Sequence, residues 1–246
     1  MMNVAARQEL MSKIVDTLGV VVEDAKFEFK SDGLHTRVVD ASHVAMIKLD
    51  VDSAAFETWE LDDVNLGLEL KKIKEFVSLG GPTDLIEMSW NDASGELSLN
   101  LGLIDKTMRP IDESAIVSPQ VPPLEQKSTV KINGAALATA LQAARQVGDL
   151  VSFSLDSDHF TIHVQGNSDS VTVKFGKDQV ESIKCDNPIR SQYSLTYLVP
   201  LAKVFKTIES VHIGFGDSYP LSLQFTFQDG AGEVQYFLAP RVENEF

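Results

Sequence analysis

The 246 residues carry a formal net charge of −15 at pH 7, 43% hydrophobic residues and one cysteine, Cys185. That apolar content fills one large domain or two of ordinary size and excludes wholesale disorder, while a single cysteine excludes an internal disulfide framework, and no CxxC or Cys/His spacing suggests zinc. No apolar run reaches membrane-spanning length and Met1-Met2-Asn3-Val4 shows no signal-peptide pattern, so the chain reads as soluble and intracellular with no membrane partner; the acidity, taken alone, argues against nucleic acid.

Glu9 to Leu18 places Leu10, Ile14 and Leu18 at fourfold spacing and predicts an amphipathic helix with Lys13 on its polar side. Lys26–Lys30 alternates, Ser31-Asp-Gly33 turns and His35–Val39 alternates again, a hairpin; Val44–Val51 is a further strand. Glu69–Leu79 predicts a second helix, with Leu70, Ile73 and Val77 inward and Lys71, Lys72 and Lys74 away from them, stopped by Gly80-Gly-Pro82. Strands follow around Leu85–Trp90, Glu96–Leu103 and Lys106–Ile111. Residues 110–127 then hold four of the nine prolines, and Pro122-Pro123 fits neither helix nor central strand, so this stretch reads as an extended crossing segment.

Beyond it the order recurs. Gly134–Val147 is an Ala-rich helix, Val151–Leu155 and Phe160–Val164 form a hairpin about Asp156-Ser-Asp158, and Ser170–Phe175 is a strand. Tyr197–Ile208 is a helix with Leu198, Leu201, Phe205 and Ile208 inward and Pro200 in its first turn, where no amide bond is lost; Val211–Phe215, Leu221–Phe227 and Glu233–Leu238 close the chain as strands. Glu23–Asp32 also lies over Gly148–Asp158 with a one-residue gap. The chain therefore reads as α+β, two copies of one domain with two helices packed on antiparallel sheet: residues 1–111 and 128–246, joined by a linker at 112–127.

The four helix windows, 9–18, 69–79, 134–147 and 197–208, contain Lys13, Lys71, Lys72, Lys74, Arg145, Lys203 and Lys206 against Glu9, Asp16, Glu69 and Glu75. Their net charge is +3, which leaves −18 on the remainder of the chain. One basic helix merely solvates a face; four sharing the bias suit a surface that holds a polyanion without gripping it. No catalytic set emerges. There is no Gly-x-Ser-x-Gly elbow or P-loop, and Cys185 lies in a polar segment. His159 and His163 share a strand face without a third ligand, and Asp156, Asp158, Asp40 and His43 suit local turn chemistry better than acid–base work. No cofactor, metal or enzymatic activity is expected.

Gly232-Glu-Val-Gln-Tyr-Phe-Leu-Ala-Pro-Arg-Val-Glu243, Arg37-Val-Val-Asp-Ala-Ser-His-Val-Ala-Met46 and Asp217-Ser-Tyr-Pro-Leu-Ser-Leu are three motifs that together resemble the PCNA family, the archaeal and eukaryotic DNA sliding clamps. The resemblance covers essentially the whole chain. It implies the DNA clamp fold in a closed head-to-tail ring of three subunits, with the basic helices lining a hole for duplex DNA. It implies no catalysis, but a processivity factor for DNA polymerase, opened by a clamp loader and serving other replication and repair proteins in the cytoplasm or nucleoid of an archaeon or the nucleus of a eukaryote. Partner peptides with a Gln-xx-aliphatic-xx-aromatic-aromatic box would use Val39, His43, Val44, Pro119, Val121, Pro220, Ala239, Pro240 and Arg241. The sequence departs from the family pattern at Pro119, often an aliphatic residue, and in a short N-terminus whose only candidate strand is Asn3–Ala6. Chain order makes Lys106–Ile111 and Ser170–Phe175 the terminal strands of the two halves. Edge pairing would then join Lys106, Thr107, Met108 and Arg109 of one subunit to Val171, Thr172 and Val173 of the next. A heteromeric, checkpoint-type clamp or a scaffold without DNA in its hole is the alternative reading; the basic helices favour the DNA clamp.

Overall fold

The computed structural model describes residues 1–121 and 123–241. Its first half runs β1 (Met2–Arg7), α1 (Gln8–Leu18), β2 (Asp24–Lys30), β3 (Gly33–Val39), β4 (Ala45–Asp52), β5 (Thr58–Leu61), β6 (Val64–Glu69), α2 (Leu70–Val77), β7 (Leu85–Asn91), β8 (Glu96–Leu101) and β9 (Ile104–Met108). The second half runs β10 (Ser128–Ile132), α3 (Gly134–Arg145), β11 (Leu150–Leu155), β12 (His159–Gln165), β13 (Ser170–Gly176), β14 (Ser182–Lys184), β15 (Ile189–Ser194), α4 (Leu195–Phe205), β16 (Val211–Phe215), β17 (Leu221–Phe227) and β18 (Gly232–Leu238). The two series are the same element for element.

Strand order repeats as well. In the first half it is β5-β1-β7-β8-β9 and β4-β3-β2-β6; in the second it is β14-β10-β16-β17-β18 and β13-β12-β11-β15, each strand occupying the place of its counterpart. The registered pairs are antiparallel, from Val4↔Met88 in the first half to Val130↔Ile213 in the second. Five strands, β5, β6, β10, β14 and β15, have no counterpart among the strands expected from periodicity. The described chain forms two compact units: residues 1–41, 46–121 and 226–234 in one, and 42–45, 123–225 and 235–241 in the other.

In the first unit α1 buries Leu10, Met11, Ile14, Val15 and Leu18, and α2 buries Leu70, Ile73, Phe76 and Val77. No side chain caps α1; the turn after α2 satisfies its first amides instead, Gln8 N donating to Asp84 O at 2.8 Å and Glu9 N to Pro82 O at 3.1 Å. In the second unit Asn133 Oδ1 caps α3, accepting from Ala135 N at 3.0 Å and Ala136 N at 3.2 Å. Gly134 N donates to Ile208 O at 3.0 Å, and a Cβ at Gly134 would stand 2.1 Å from Phe205 O, so only glycine allows the start of α3 to seat on the end of α4.

Three expectations need correction. Helix α2 is shorter than Glu69–Leu79, since Glu69 pairs with Asp24 as part of β6 and Ser78 caps the far end. Helix α4 begins at Leu195, which puts Pro200 sixth and beyond the first turn; the ring tolerates this by leaving the Thr196 carbonyl without its helical donor. Lys206 caps α4 rather than lying within it. At the N-terminus, β1 extends over Met2–Arg7 and is paired on both sides, by β5 and β7. No helix among the described residues is long and apolar enough to cross a membrane.

Candidate functional site

Helices α1 and α2 pack together in the first unit, and α3 with α4 in the second. Their apolar faces point to the sheets, which turns the cations outward, but not all remain available. Lys72 Nζ lies 2.5 Å from Glu69 Oε1, Lys74 Nζ of α2 lies 2.6 Å from Asp16 Oδ1 of α1, and Arg145 pairs with Asp149 one turn on. Lys13 is half-buried, and that burial lowers its pKa against the raising influence of Glu9 and Asp16. Lys71, Lys203 and Lys206 are exposed and make no ion pair among the described residues. One further cation reaches these helices unannounced by its sequence position: Lys106 of β9 donates from Nζ to Lys72 O at 3.0 Å, in the first turn of α2.

The residues that the resemblance assigns to a partner peptide divide between the units. In the second, Val44 O accepts from Ala239 N at 2.9 Å and Gln192 O accepts from Arg241 N at 2.8 Å; Pro240 between them has no N–H. The tail is thus extended, as its proline predicts, but its described amides are engaged within the chain. His43 and Ser218 both have left-handed φ, 55° and 49°, strain of the kind that persists where surrounding bonds enforce it. Around Ser218 the enforcement is visible: Arg190 N donates to Asp217 Oδ1 at 2.7 Å, buried Tyr193 donates from Oη to Tyr219 O at 2.7 Å, and Gln126 Nε2 donates to Pro220 O at 3.0 Å.

Val39, Pro119 and Val121, all half-buried, belong to the first unit. There the linker begins as a fixed structure. Ile111 N donates to Gly67 O at 2.9 Å, Asp112 Oδ1 caps a single 3-10 turn over Glu113–Ala115, and Lys26 Nζ lies 2.9 Å from Glu113 Oε2. A Cβ at Gly67 would meet Ile111 O at 2.6 Å and Ile116 Cδ1 at 3.0 Å, so the glycine in β6 is what lets this segment lie flat. Pro122, the next residue of interest, lies outside the described residues, as do Val242–Phe246.

The two strands assigned to subunit contacts are both sheet edges: β9 beside β8, and β13 beside β12. Thr107 and Thr172 are exposed, Lys106, Val171 and Val173 half-buried, and Met108 is buried; Arg109 lies just past β9, 3.8 Å from Glu96. Leu103 and Ile104, exposed at the β8–β9 turn, extend the apolar character of that edge, and no spacing or motif in the sequence marks them out.

The remaining titratable groups have local work. His163 Nδ1 lies 2.8 Å from Thr172 Oγ1, Asp156 Oδ1 accepts from Asp158 N and His159 N at 2.7 and 2.8 Å, and Cys185 Sγ donates to Leu155 O and Asn187 O. His35 sits between two carboxylates, Nδ1 2.8 Å from Asp50 and Nε2 3.0 Å from Asp32, with Lys48 2.6 Å from Asp50. Partial burial opposes its charge, but the hydrogen bonds that His35 donates to Asp50 and Asp32 outweigh it and raise the His35 pKa. Burial likewise opposes the charge on Asp50, yet Lys48 and His35 hold its pKa low; Asp32 is lowered chiefly by its bond to His35. A raised imidazolium stabilises the fold fully below its unfolded pKa of about 6.5, and that stabilisation is lost as pH rises through the folded value. The carboxylates act oppositely, their stabilisation being lost as pH falls through their lowered values. Wild type should therefore exceed His35→Gln in melting temperature most below the unfolded pKa of about 6.5 and lose that lead as pH rises through the folded value. Thermal melts across that range check it, and a lead that grows as pH rises would contradict the assignment.

A family model described as the proliferating cell nuclear antigen N-terminal domain matches residues 1–113. The DNA polymerase sliding clamp of Methanosarcina mazei is 30% identical over 246 residues, covering all of both chains, and that of Haloarcula marismortui is 26% identical over 248, again covering both entirely. Among solved structures, that of A. fulgidus PCNA bound to the C-terminal region of FEN-1 is similar with a TM-score of 0.93 at 29% identity over the full length of both chains. PCNA from Thermococcus kodakaraensis shares the fold, with a TM-score of 0.89 at 21% identity over 98% of this chain and all of that one.

Proposed function

The chain belongs to the proliferating cell nuclear antigen family of DNA polymerase sliding clamps, and from that premise we propose that three copies close into a ring around duplex DNA. The ring tethers DNA polymerase and other replication and repair proteins inside the cell and is opened by a clamp loader. The observation that carries this reading is the placement of free cations. The exposed, unpaired Lys71 and the exposed, unpaired Lys203 and Lys206 mark the second helix of each repeat on a protein of net charge −15. Cations on stems this long suit phosphates and carry no base readout, as a protein that slides requires.

Residues 1–111 and 128–246 form the two domains of each subunit in this reading, with 112–127 as the linker. Partner peptides engage His43, Val44, Pro220, Ala239, Pro240 and Arg241, together with Val39, Pro119 and Val121. Subunits meet through β9 and β13. The clamp makes and breaks no covalent bond, and His163, Cys185 and Asp156 are accounted for by structural bonds.

Changing Lys71, Lys203 and Lys206 to alanine should weaken duplex binding and flatten its salt dependence by up to about 0.9 in log–log slope for each phosphate no longer neutralised. Changing Lys72, Lys74 and Arg145 instead should flatten it less, since each already has a carboxylate partner. Anisotropy of a labelled duplex from about 50 to 200 mM salt separates the two variants. Equal slopes for wild type and both variants would move the DNA surface elsewhere.

A further inference from the structure

Pairing of β10 with β14 and β16 sets Thr129 opposite Lys184 on one side and Ser128 opposite Phe215 on the other. Beside the start of β10 the chain leaves a pocket of about 510 Å³ lying wholly within the second unit. Its apolar walls are Phe215, which is buried, and the half-buried Ile189 and Tyr219. Two polar groups of the lining have no partner among the described residues. Gln126 Nε2 donates to Pro220 O at 3.0 Å, which identifies Oε1 as the other end of the amide, and that oxygen is buried without a hydrogen bond. Ser128 is only 7% exposed, and its hydroxyl is likewise unbonded. A buried polar atom left unpaired costs free energy, and a ligand recovers it. The lining is also fixed in place. A Cβ at Gly214 would stand 2.7 Å from Gln126 Cβ, so the glycine is what seats that side chain. The Tyr193 hydroxyl holds the Tyr219 carbonyl, and the Arg190 amide holds the Asp217 carboxylate.

Charge divides the lining in two. Glu125, Asp186 and Asp217 contribute carboxylates, which only accept hydrogen bonds. Lys127 lines the pocket as well, and Lys184 stands two residues before Asp186. Both lysines are exposed, and neither pairs with a carboxylate among the described residues. A ligand matched to this arrangement has a flat apolar body, an amino group for the acceptors and an anion for the lysines.

We propose that the pocket binds an adenine nucleotide: the base stands against Tyr219 and Ile189 and donates from its exocyclic amino group to Gln126 Oε1, Ser128 Oγ donates to a ring nitrogen, and the phosphates meet Lys127 and Lys184. Stacking on an aromatic side chain and bonding along the base edge are the usual means of holding an unpaired base. The volume lies within the range of small-ligand sites. Lysines serve phosphates as point charges on flexible stems, so exposed ones suffice for that end of the ligand. The carboxylates repel phosphate from the other end and thereby orient the nucleotide. A free nucleotide and an unpaired adenine in a single strand present the same chemistry here. None of these residues belongs to the four helices or to the set assigned to partner peptides, so the site depends on neither reading.

Calorimetry on the full-length protein at low salt tests this with ADP, IDP and a short oligodeoxyadenylate. The oligonucleotide is titrated into the variant with Lys71, Lys203 and Lys206 changed to alanine, which removes the unpaired helix cations from the measurement. ADP should bind once per chain. IDP, with a carbonyl in place of the amino group, should bind about tenfold more weakly, because the buried acceptor is then left unpaired. The doubly substituted Lys127→Gln/Lys184→Gln should weaken ADP by about tenfold, a difference that high salt erases. Ser128→Ala should weaken ADP as well and leave the lysine effect intact. Tighter binding of ADP than of the oligodeoxyadenylate identifies the ligand as the free nucleotide; the reverse order, with oligodeoxythymidylate failing to substitute, identifies it as a strand. If neither ADP nor the oligodeoxyadenylate binds at millimolar concentration, if ADP and IDP bind alike, or if both variants bind as wild type does, the assignment is overturned.

Discussion

Proline at Thr172 or Val173 should reduce the native particle from three chains of 27.0 kDa to one. Strand β13 is a sheet edge, and the amides of successive strand residues point alternately to β12 and away from it. One of the two prolines therefore removes an outward donor that would pair with β9 of a neighbour, while the other weakens the strand's own ladder. Neither Thr172, which is exposed, nor Val173, half-buried, fills the core, so the outward variant should keep the circular dichroism spectrum and lose only the assembly. Native mass spectrometry at micromolar concentration decides the matter. If both variants remain at the wild-type mass, the chain closes through other strands. A wild-type particle that is itself a single chain would instead favour closure with different subunits.

Val44→Asp should lower the affinity for a Gln-xx-Leu-xx-Phe-Phe peptide by about 100-fold or more, leaving the trimer and the duplex affinity unchanged. A carboxylate brought into a groove that a partner desolvates costs on the order of 3 kcal/mol. The substitution suits the test because Val44 is half-buried and its contribution to the fold includes a backbone one, the carbonyl that accepts from Ala239. Affinity at such interfaces concentrates in a few anchors, so loss of one removes most of the binding. Unchanged affinity by calorimetry would remove Val44 from the site, and loss of the trimer would show that Val44 acts through the fold.

Much of this architecture is legible in the sequence, and the parts that are not share a cause. The helices declare themselves through spacings such as Leu10, Ile14 and Leu18, and the hairpins through Ser31-Asp-Gly33 and Asp156-Ser-Asp158. Strands β5 and β14 give no such sign. Thr58-Trp-Glu-Leu61 pairs with Met2–Ala5 across more than fifty residues, and Ser182-Ile-Lys184 is too short to alternate visibly. In β6, Gly67 reads as a breaker because its purpose, accommodating Ile111 and Ile116, lies more than forty residues away. The basic residues are likewise visible in the sequence as a set but not as a charge distribution. Lys74 meets Asp16 on another helix, and Lys106 turns from its sheet edge to α2; neither pairing has a local spacing to reveal it.

The ion pairs of Lys72, Lys74 and Arg145 bear on how fast such a ring travels. Motion along a duplex is diffusion over a corrugated landscape, and every cation locked to a phosphate deepens the wells between steps. A cation already satisfied by a neighbouring carboxylate can drift from one anion to another at little net cost, since exposed pairs of this kind are weak. In the proposed ring, three bare lysines and three tempered cations per subunit would give a lining with low friction. Residence on DNA then comes from topological linkage rather than from adhesion.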